Sequence, residues 1–146
     1  MEAGIMKADL GRHDHRKEQI AFGRLLWVGP LAAVIAAVGT VLVRTVGVVA
    51  FGVPPNFQAL TLASVLVSSV VGALGATVVF AIVGRFARRP VRLLRVIAIV
   101  VLLLSFLSPV LALPGAGLNI ILTLEAMHVV VAAVSVALLT TLARKK

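Results

Sequence analysis

Almost all the lysine and arginine in this chain lies at three places, and long apolar runs separate those places. Thirteen of the 14 Lys and Arg residues fall in the N-terminal region 1–24, the segment 85–95 or the last residues 144–146. The connections around Pro54 and Pro114 carry no charge. Cytoplasmic loops of membrane proteins are enriched in Lys and Arg. The alternation predicts four membrane spans with both termini in the cytoplasm.

The four apolar runs have the length of membrane-spanning helices. Hydrophobic residues make up 61% of the chain, against about 45–50% in a soluble domain. Each run is close to the ~20 residues that cross a bilayer as a helix. We therefore predict an all-α, four-transmembrane-helix antiparallel bundle with its N- and C-termini cytoplasmic. Residues 1–24 form a polar tail and 25–146 the transmembrane domain, with spans at about 25–49, 62–84, 96–113 and 120–142.

Composition also excludes several classes of protein. The chain has no Cys, which removes disulfides, thiolate metal sites and Cys nucleophiles. Its net charge of +9 comes from basic residues that flank apolar spans, so orientation and anionic lipid explain it better than nucleic acid. The polar region before the first span is too long for a signal peptide. We predict a multi-pass protein of a bacterial plasma (inner) membrane.

Small residues predict which helix faces pack closely. Membrane helices associate where Gly, Ala, Ser and Thr let their backbones approach. The second span carries two such stripes, and the first span carries one. We predict that the first two spans pack through these faces, with Ser64, Gly72 and Ala76 as packing residues. The stripes are Ser64, Ser68, Gly72 and Ala76; Ser69, Ala73 and Thr77; and Gly29, Ala33 and Ala37.

Two ionisable residues of opposite charge lie inside the spans. Arg44 is about 28 Å from the start of the first span and Glu125 about 26 Å from the end of the fourth, at 1.5 Å per residue. His128 lies one turn from Glu125, and Ser68 falls at a similar depth, about 22 Å. We predict a polar intramembrane cluster of Arg44, Glu125, His128 and Ser68. It is an Arg44–Glu125 ion pair that locks two helices, a ligand pocket open to the outer side, or a set of independent interfacial residues.

The other polar motifs are weaker indications of a metal or cofactor site. Glu125 and His128 have the spacing of a di-iron motif, but a second motif and further carboxylates are missing. Haem ligation by His128 lacks a second membrane histidine. The segment His13, Asp14, His15 is a weak metal motif. We predict no metal and no cofactor, and we expect the arginines of the central loop to contact anionic lipid. They are Arg85, Arg88, Arg89, Arg92 and Arg95.

Three features together resemble a known group of proteins. They are the turn 53–58 (VPPNFQ), the Arg-rich loop and the motif from Glu125 to His128 in the last span. The pattern resembles small four-helix integral membrane proteins of bacteria that are known only as a domain of unknown function. The resemblance covers about residues 25–142, implies the four-helix fold and carries no activity.

Chemical motifs for a reaction are absent from the sequence, which has no Gly-rich phosphate loop, nucleophile elbow or Ser/His/Asp set. Our first hypothesis is a non-enzymatic subunit or oligomerising scaffold, acting as a homo-oligomer or within a larger membrane complex. The alternative is a binding or transport protein whose outer-facing pocket contains Arg44, Glu125 and His128. A membrane enzyme or haem protein that uses His128 is the third hypothesis.

Overall fold

The computed structural model describes residues 21–143, which form four long helices. They are α1 (Phe22–Phe51), α2 (Leu62–Phe86), α3 (Pro90–Ala112) and α4 (Leu118–Leu142), with a short 3-10 helix at Gln58–Leu60 before α2. No strand occurs among these residues. The all-α prediction is therefore confirmed. Most of the predicted polar tail lies outside the described residues.

All four helices are long and apolar enough to cross a membrane. The third begins at Pro90, earlier than the predicted start near residue 96. Proline suits the first position of a helix because its missing N–H has no intrahelical partner there. As a consequence Arg92 and Arg95 lie in the first turns of α3 rather than in a loop. Pro30 lies inside α1, because that helix already begins at Phe22.

The connection between α1 and α2 has defined ends. Gly52 ends α1 with a φ of 62°, a left-handed conformation that glycine adopts at little cost. Thr61 caps α2, and its Oγ1 accepts a hydrogen bond from the Ser64 N–H at 3.3 Å. The side chain of Asn119 in α4 donates to the Phe51 carbonyl at 3.0 Å. These contacts bring residues 52–61 together with the start of α4; we call this the proline end.

At the opposite end of the molecule lie the start of α1, the end of α4 and the connection 87–89. The Ala21 N–H donates to the Ala143 carbonyl at 3.0 Å. A buried cluster lies nearby and includes Leu25, Phe80, Leu94 and Leu139. We call this the arginine end. A second apolar cluster fills the proline end, and a small middle cluster of Ala33, Ala36 and Ala73 lies between them.

Helix α1 is the best-packed helix, and α3 is the least. α1 makes its main contacts with α2 and α4, whereas α3 contacts only α2 and α4 extensively. Of the most apolar 18-residue window in each helix, 33% is buried in α1 and 11% in α3. This loose packing of α3 leaves space between it and its two neighbours.

Candidate ligand-binding site

Arg44 fastens the connection at the proline end. Its Nε donates to the Leu60 carbonyl at 2.6 Å and its Nη2 to the Pro55 carbonyl at 3.2 Å. Both acceptors belong to the segment that returns from α1 to α2. Hydrogen bonds from a charged donor are stronger than neutral ones, so this guanidinium holds the returning segment against its own helix.

Glu125 has no such partners. Both of its carboxylate oxygens are buried and without a hydrogen-bond partner. The Arg44–Glu125 ion pair, one of the three alternatives for the polar cluster, is therefore not formed in this structure. Thr123 packs against Gly47 of α1, and a residue two positions later on a helix points about 200° away from it. Glu125 thus faces away from α1, which carries Arg44.

One ring nitrogen of His128 is engaged in a hydrogen bond. Its Nδ1 lies 2.8 Å from the Leu124 carbonyl. A carbonyl oxygen only accepts, so Nδ1 carries the hydrogen. In the neutral ring Nε2 is then an acceptor. The residue is exposed at the surface of α4, so this acceptor is available to a ligand.

A cavity of about 810 Å³ lies between α2, α3 and α4, and His128 lines it. Its walls are mainly apolar, with Val79, Leu94 and Ile97 towards the arginine end. A set of polar side chains interrupts these walls, and no carboxylate, lysine or arginine lines them. The polar residues are Thr40, Ser64, Ser68, Ser69, Ser105, Ser108, His128 and Ser135.

The predicted polar cluster is thus divided. His128 and Ser68 line the same cavity. Arg44 and Glu125 are outside its lining: Arg44 is bonded to the connection, and the Glu125 oxygens are buried without a hydrogen-bond partner. Equal depth along two helices was the basis of the prediction, but depth does not determine the direction in which a side chain points.

The two small-residue stripes of α2 have different neighbours. Ser69, Ala73 and Thr77 meet α1: Ser69 Oγ lies 2.7 Å from Thr40 Oγ1, and Ala73 packs with Ala33 and Ala36. The predicted packing residues Ser64, Gly72 and Ala76 line the cavity, together with Ser68. Gly72 also approaches Val131 of α4, and Ala76 also packs against the buried cluster of the arginine end. The contact between the first two spans therefore uses the neighbouring stripe, about 100° round the helix.

Ser135 is a site residue that the sequence reading missed. It is 1% exposed, lines the cavity, and its Oγ has no hydrogen-bond partner. A buried hydroxyl without a partner costs roughly 1–3 kcal/mol, so its position beside an open space is informative. Its two-turn spacing from His128 was visible in the sequence and places both residues on one face of α4.

The central arginines lie at the surface of the arginine end. Arg85, Arg88, Arg89, Arg92 and Arg95 are all exposed. No group of three His, Asp or Glu residues that could hold a metal occurs within 21–143. The motif of His13, Asp14 and His15 lies outside the described residues.

Four apolar helices with a cavity between three of them define a multi-pass α-helical membrane protein. The chain belongs to a family of unknown function, DUF6069, whose model matches residues 21–145. This match agrees with the resemblance that the turn, the Arg-rich loop and the last span predicted. No match was found among curated proteins or among solved structures.

Proposed function

We propose that this protein is a non-enzymatic membrane protein that binds a hydrophobic small molecule in the cavity between α2, α3 and α4. The observation that carries the proposal is a cavity of about 810 Å³ whose apolar walls include Ser135 with an unpartnered hydroxyl. Small-molecule sites typically have volumes of roughly 300–1,000 Å³ and combine apolar walls with a few polar groups. The cavity has both properties.

The polar lining separates this cavity from a simple packing gap. Hydroxyl groups are unfavourable in a gap that lipid tails fill, because an unpaired polar group in hydrocarbon costs free energy. Here Ser68, Ser105 and Ser108 line the space beside His128. A bound molecule with polar groups would pair with them.

The loose packing of α3 supports a lateral entry route from the bilayer. Only 11% of the 18-residue apolar stretch of α3 is buried. α2 and α3 form two sides of the cavity. A hydrophobic molecule dissolved in the membrane would enter between these two helices without passing through water.

A cavity-filling substitution tests the proposal. Gly75 lines the cavity, and a Cβ at this position would meet nothing within 4 Å. Gly75→Leu should extend its side chain into this space. The probe is a long-chain alcohol carrying a photoactivatable diazirine, added to the protein in lipid nanodiscs, with adducts mapped by mass spectrometry.

Wild-type protein should be labelled on α2, α3 and α4 residues that line the cavity, and Gly75→Leu should lose most of this labelling. Gly23→Leu is the matched control, because Gly23 also has open space around its Cβ but is outside the cavity. Equal labelling of wild-type and Gly75→Leu protein would overturn the proposal.

The proposed membrane arrangement is an antiparallel bundle with both termini on the cytoplasmic side of a bacterial plasma membrane. The concentration of Lys and Arg supports it. Paired positions along α1 and α2 support alternating directions, since Gly29 meets Thr77 while Thr40 meets Ser69. The chain has no Cys, so single-cysteine variants give clean labelling. Gln58→Cys should react with an impermeant maleimide from outside, and Arg89→Cys only after the membrane is opened.

The exposed arginines of the arginine end suit anionic lipid headgroups, with about 1 kcal/mol for each charge near the surface. Arg88→Gln with Arg89→Gln should weaken retention of anionic lipid during purification, measured by lipid analysis. Unchanged retention would remove this role.

A scaffold or subunit role is the second candidate, and the exposure of α3 favours it. A second copy or another membrane protein that covers α3 would bury its apolar face. Cross-linking from cysteines on exposed α3 positions, such as Leu103 and Leu107, tests this role. A purely monomeric protein in the native membrane would exclude the homo-oligomer.

A further inference from the structure

We infer that the ligand of this cavity is a neutral single-chain amphiphile whose polar head donates a hydrogen bond to Nε2 of His128. The inference rests on the proposed function and adds the chemistry of the head group and its direction in the cavity. Three observations carry it: the engaged Nδ1 of His128, the absence of charge in the cavity lining and the uneven distribution of polar side chains.

The tautomer of His128 favours a ligand that donates a hydrogen bond to the ring. Because Nδ1 donates to the Leu124 carbonyl, the neutral form of the ring presents a lone pair at Nε2 on its opposite edge. A backbone bond to one nitrogen also fixes the orientation of the ring, as it does for histidines that bind metals. A hydroxyl group of a ligand is the complementary partner.

The cavity offers no counter-charge. Among residues 21–143 Glu125 is the single acidic residue, and it is outside the cavity lining. Arg44, the ionisable residue at a similar depth, is bonded to the Leu60 and Pro55 carbonyls. No charged side chain of the lining would pair with a head group that carries a full charge, and an unpaired charge is costly in such a medium. The head is therefore neutral.

Polar and apolar residues divide the cavity along its length. Ser64 and Ser108 lie near the proline end, whereas Val79 and Leu94 line the arginine end. An amphiphile with its head at His128 would direct its chain towards the second pair. Ser135 lies two turns, or about 10 Å, beyond His128 on the same face of α4. A polar group within the ligand's chain at that distance from the head would pair with the unpartnered Ser135 hydroxyl.

A matched pair of probes tests the donor. The diazirine-bearing long-chain alcohol donates a hydrogen bond, whereas its methyl ether has the same chain and only accepts. In wild-type protein the alcohol should label the cavity about three- to tenfold more strongly than the ether, the ratio expected for one hydrogen bond. His128→Phe should make the two probes equal. His128→Gln retains an acceptor oxygen and should keep part of the preference.

The possible failures are distinguishable. If Gly75→Leu blocks both probes but wild-type protein labels equally with alcohol and ether, the cavity binds ligands and the donor inference is overturned. If His128→Phe and His128→Gln both keep the full preference for the alcohol, another group accepts the bond and the inference is also overturned. If Gly75→Leu labels like wild-type protein, the proposed function itself fails.

Discussion

The hydroxyl oxygens of Thr40 and Ser69 lie 2.7 Å apart and join α1 to α2 in the middle of the apolar spans. Each hydroxyl also lies within hydrogen-bond distance of a carbonyl of its own helix. Since a hydroxyl has one hydrogen, one residue donates to the other, and the accepting residue donates to its own backbone. Both side chains are buried, so this bond specifies the rotation of α2 relative to α1.

Removing either hydroxyl should therefore weaken the contact between the two helices. We expect Thr40→Val and Ser69→Ala to lower the free energy of unfolding, with a coupling of about 0.6 kcal/mol in the double-mutant cycle. Detergent-induced unfolding in mixed micelles measures it. Thr45→Val is the control, because the Thr45 hydroxyl is bonded only within α1 and is exposed. Additive effects of Thr40→Val and Ser69→Ala would show that the hydroxyls act separately.

Close approach of α1 and α4 depends on Gly47. A Cβ at this position would lie 2.7 Å from Cγ2 of Thr123. That side chain is buried and bonded to the Asn119 carbonyl at 2.7 Å, which limits its movement. Relative to Gly23→Ala, where the space is open, Gly47→Ala should cost at least about 1 kcal/mol of stability.

A second substitution, at Thr123, tests whether this clash causes the loss of stability. Thr123→Ala removes both of the side-chain atoms that the new Cβ would meet most closely, Cγ2 at 2.7 Å and Oγ1 at 2.9 Å. In the background of Gly47→Ala it should restore most of the lost unfolding free energy. A Gly47→Ala protein as stable as Gly23→Ala would mean that α1 and α4 are further apart than described.

The hydrogen bonds of Arg44 predict a local effect at the proline end. Arg44→Met should cost about 1–2 kcal/mol of unfolding free energy and increase the maleimide reactivity of a cysteine at Gln58. Arg44→Lys should form at most one of these two hydrogen bonds and should recover only part of the lost unfolding free energy. Because Arg44 and Glu125 are not paired, a double-mutant cycle of Arg44→Met with Glu125→Gln should be additive. A coupling above about 0.5 kcal/mol would restore the ion pair.

The unpartnered carboxylate of Glu125 predicts a stabilising substitution. Replacing a buried polar group that has no partner by an apolar side chain removes a desolvation cost, so Glu125→Leu should raise the unfolding free energy by about 1 kcal/mol. Asn119→Leu is the contrasting variant, because it removes the bond to the Phe51 carbonyl and should lower stability. A less stable Glu125→Leu protein would indicate a partner for the carboxylate.

The helices themselves were predictable from the chain. Four apolar runs gave spans whose ends agree with α1, α2 and α4 to within three residues, and with the end of α3 to within one. The start of α3 was missed by six residues, because Arg92 and Arg95 made its first turns look like a loop. Charge marks the edge of a hydrophobic run, whereas Pro90 marks the start of the helix.

The directions of side chains were not predictable in this way. Arg44 and Glu125 were predicted to lie at the same depth, yet Arg44 is bonded to the connection and Glu125 faces away from α1. Depth follows from a count of residues, but rotation about the helix axis depends on every contact of the helix at once.

Hydropathy and helix length were sufficient for the number and limits of the helices, because a backbone in lipid must satisfy its own hydrogen bonds within each segment. Hydropathy and helix length could not predict which of the two small-residue stripes of α2 contacts α1. Both stripes permit close approach, and packing against α1 and α4 together selected Ser69, Ala73 and Thr77 for α1. That selection left Ser68 beside His128 around an open space, so the cavity arises from the packing of helices distant in sequence rather than from any one segment.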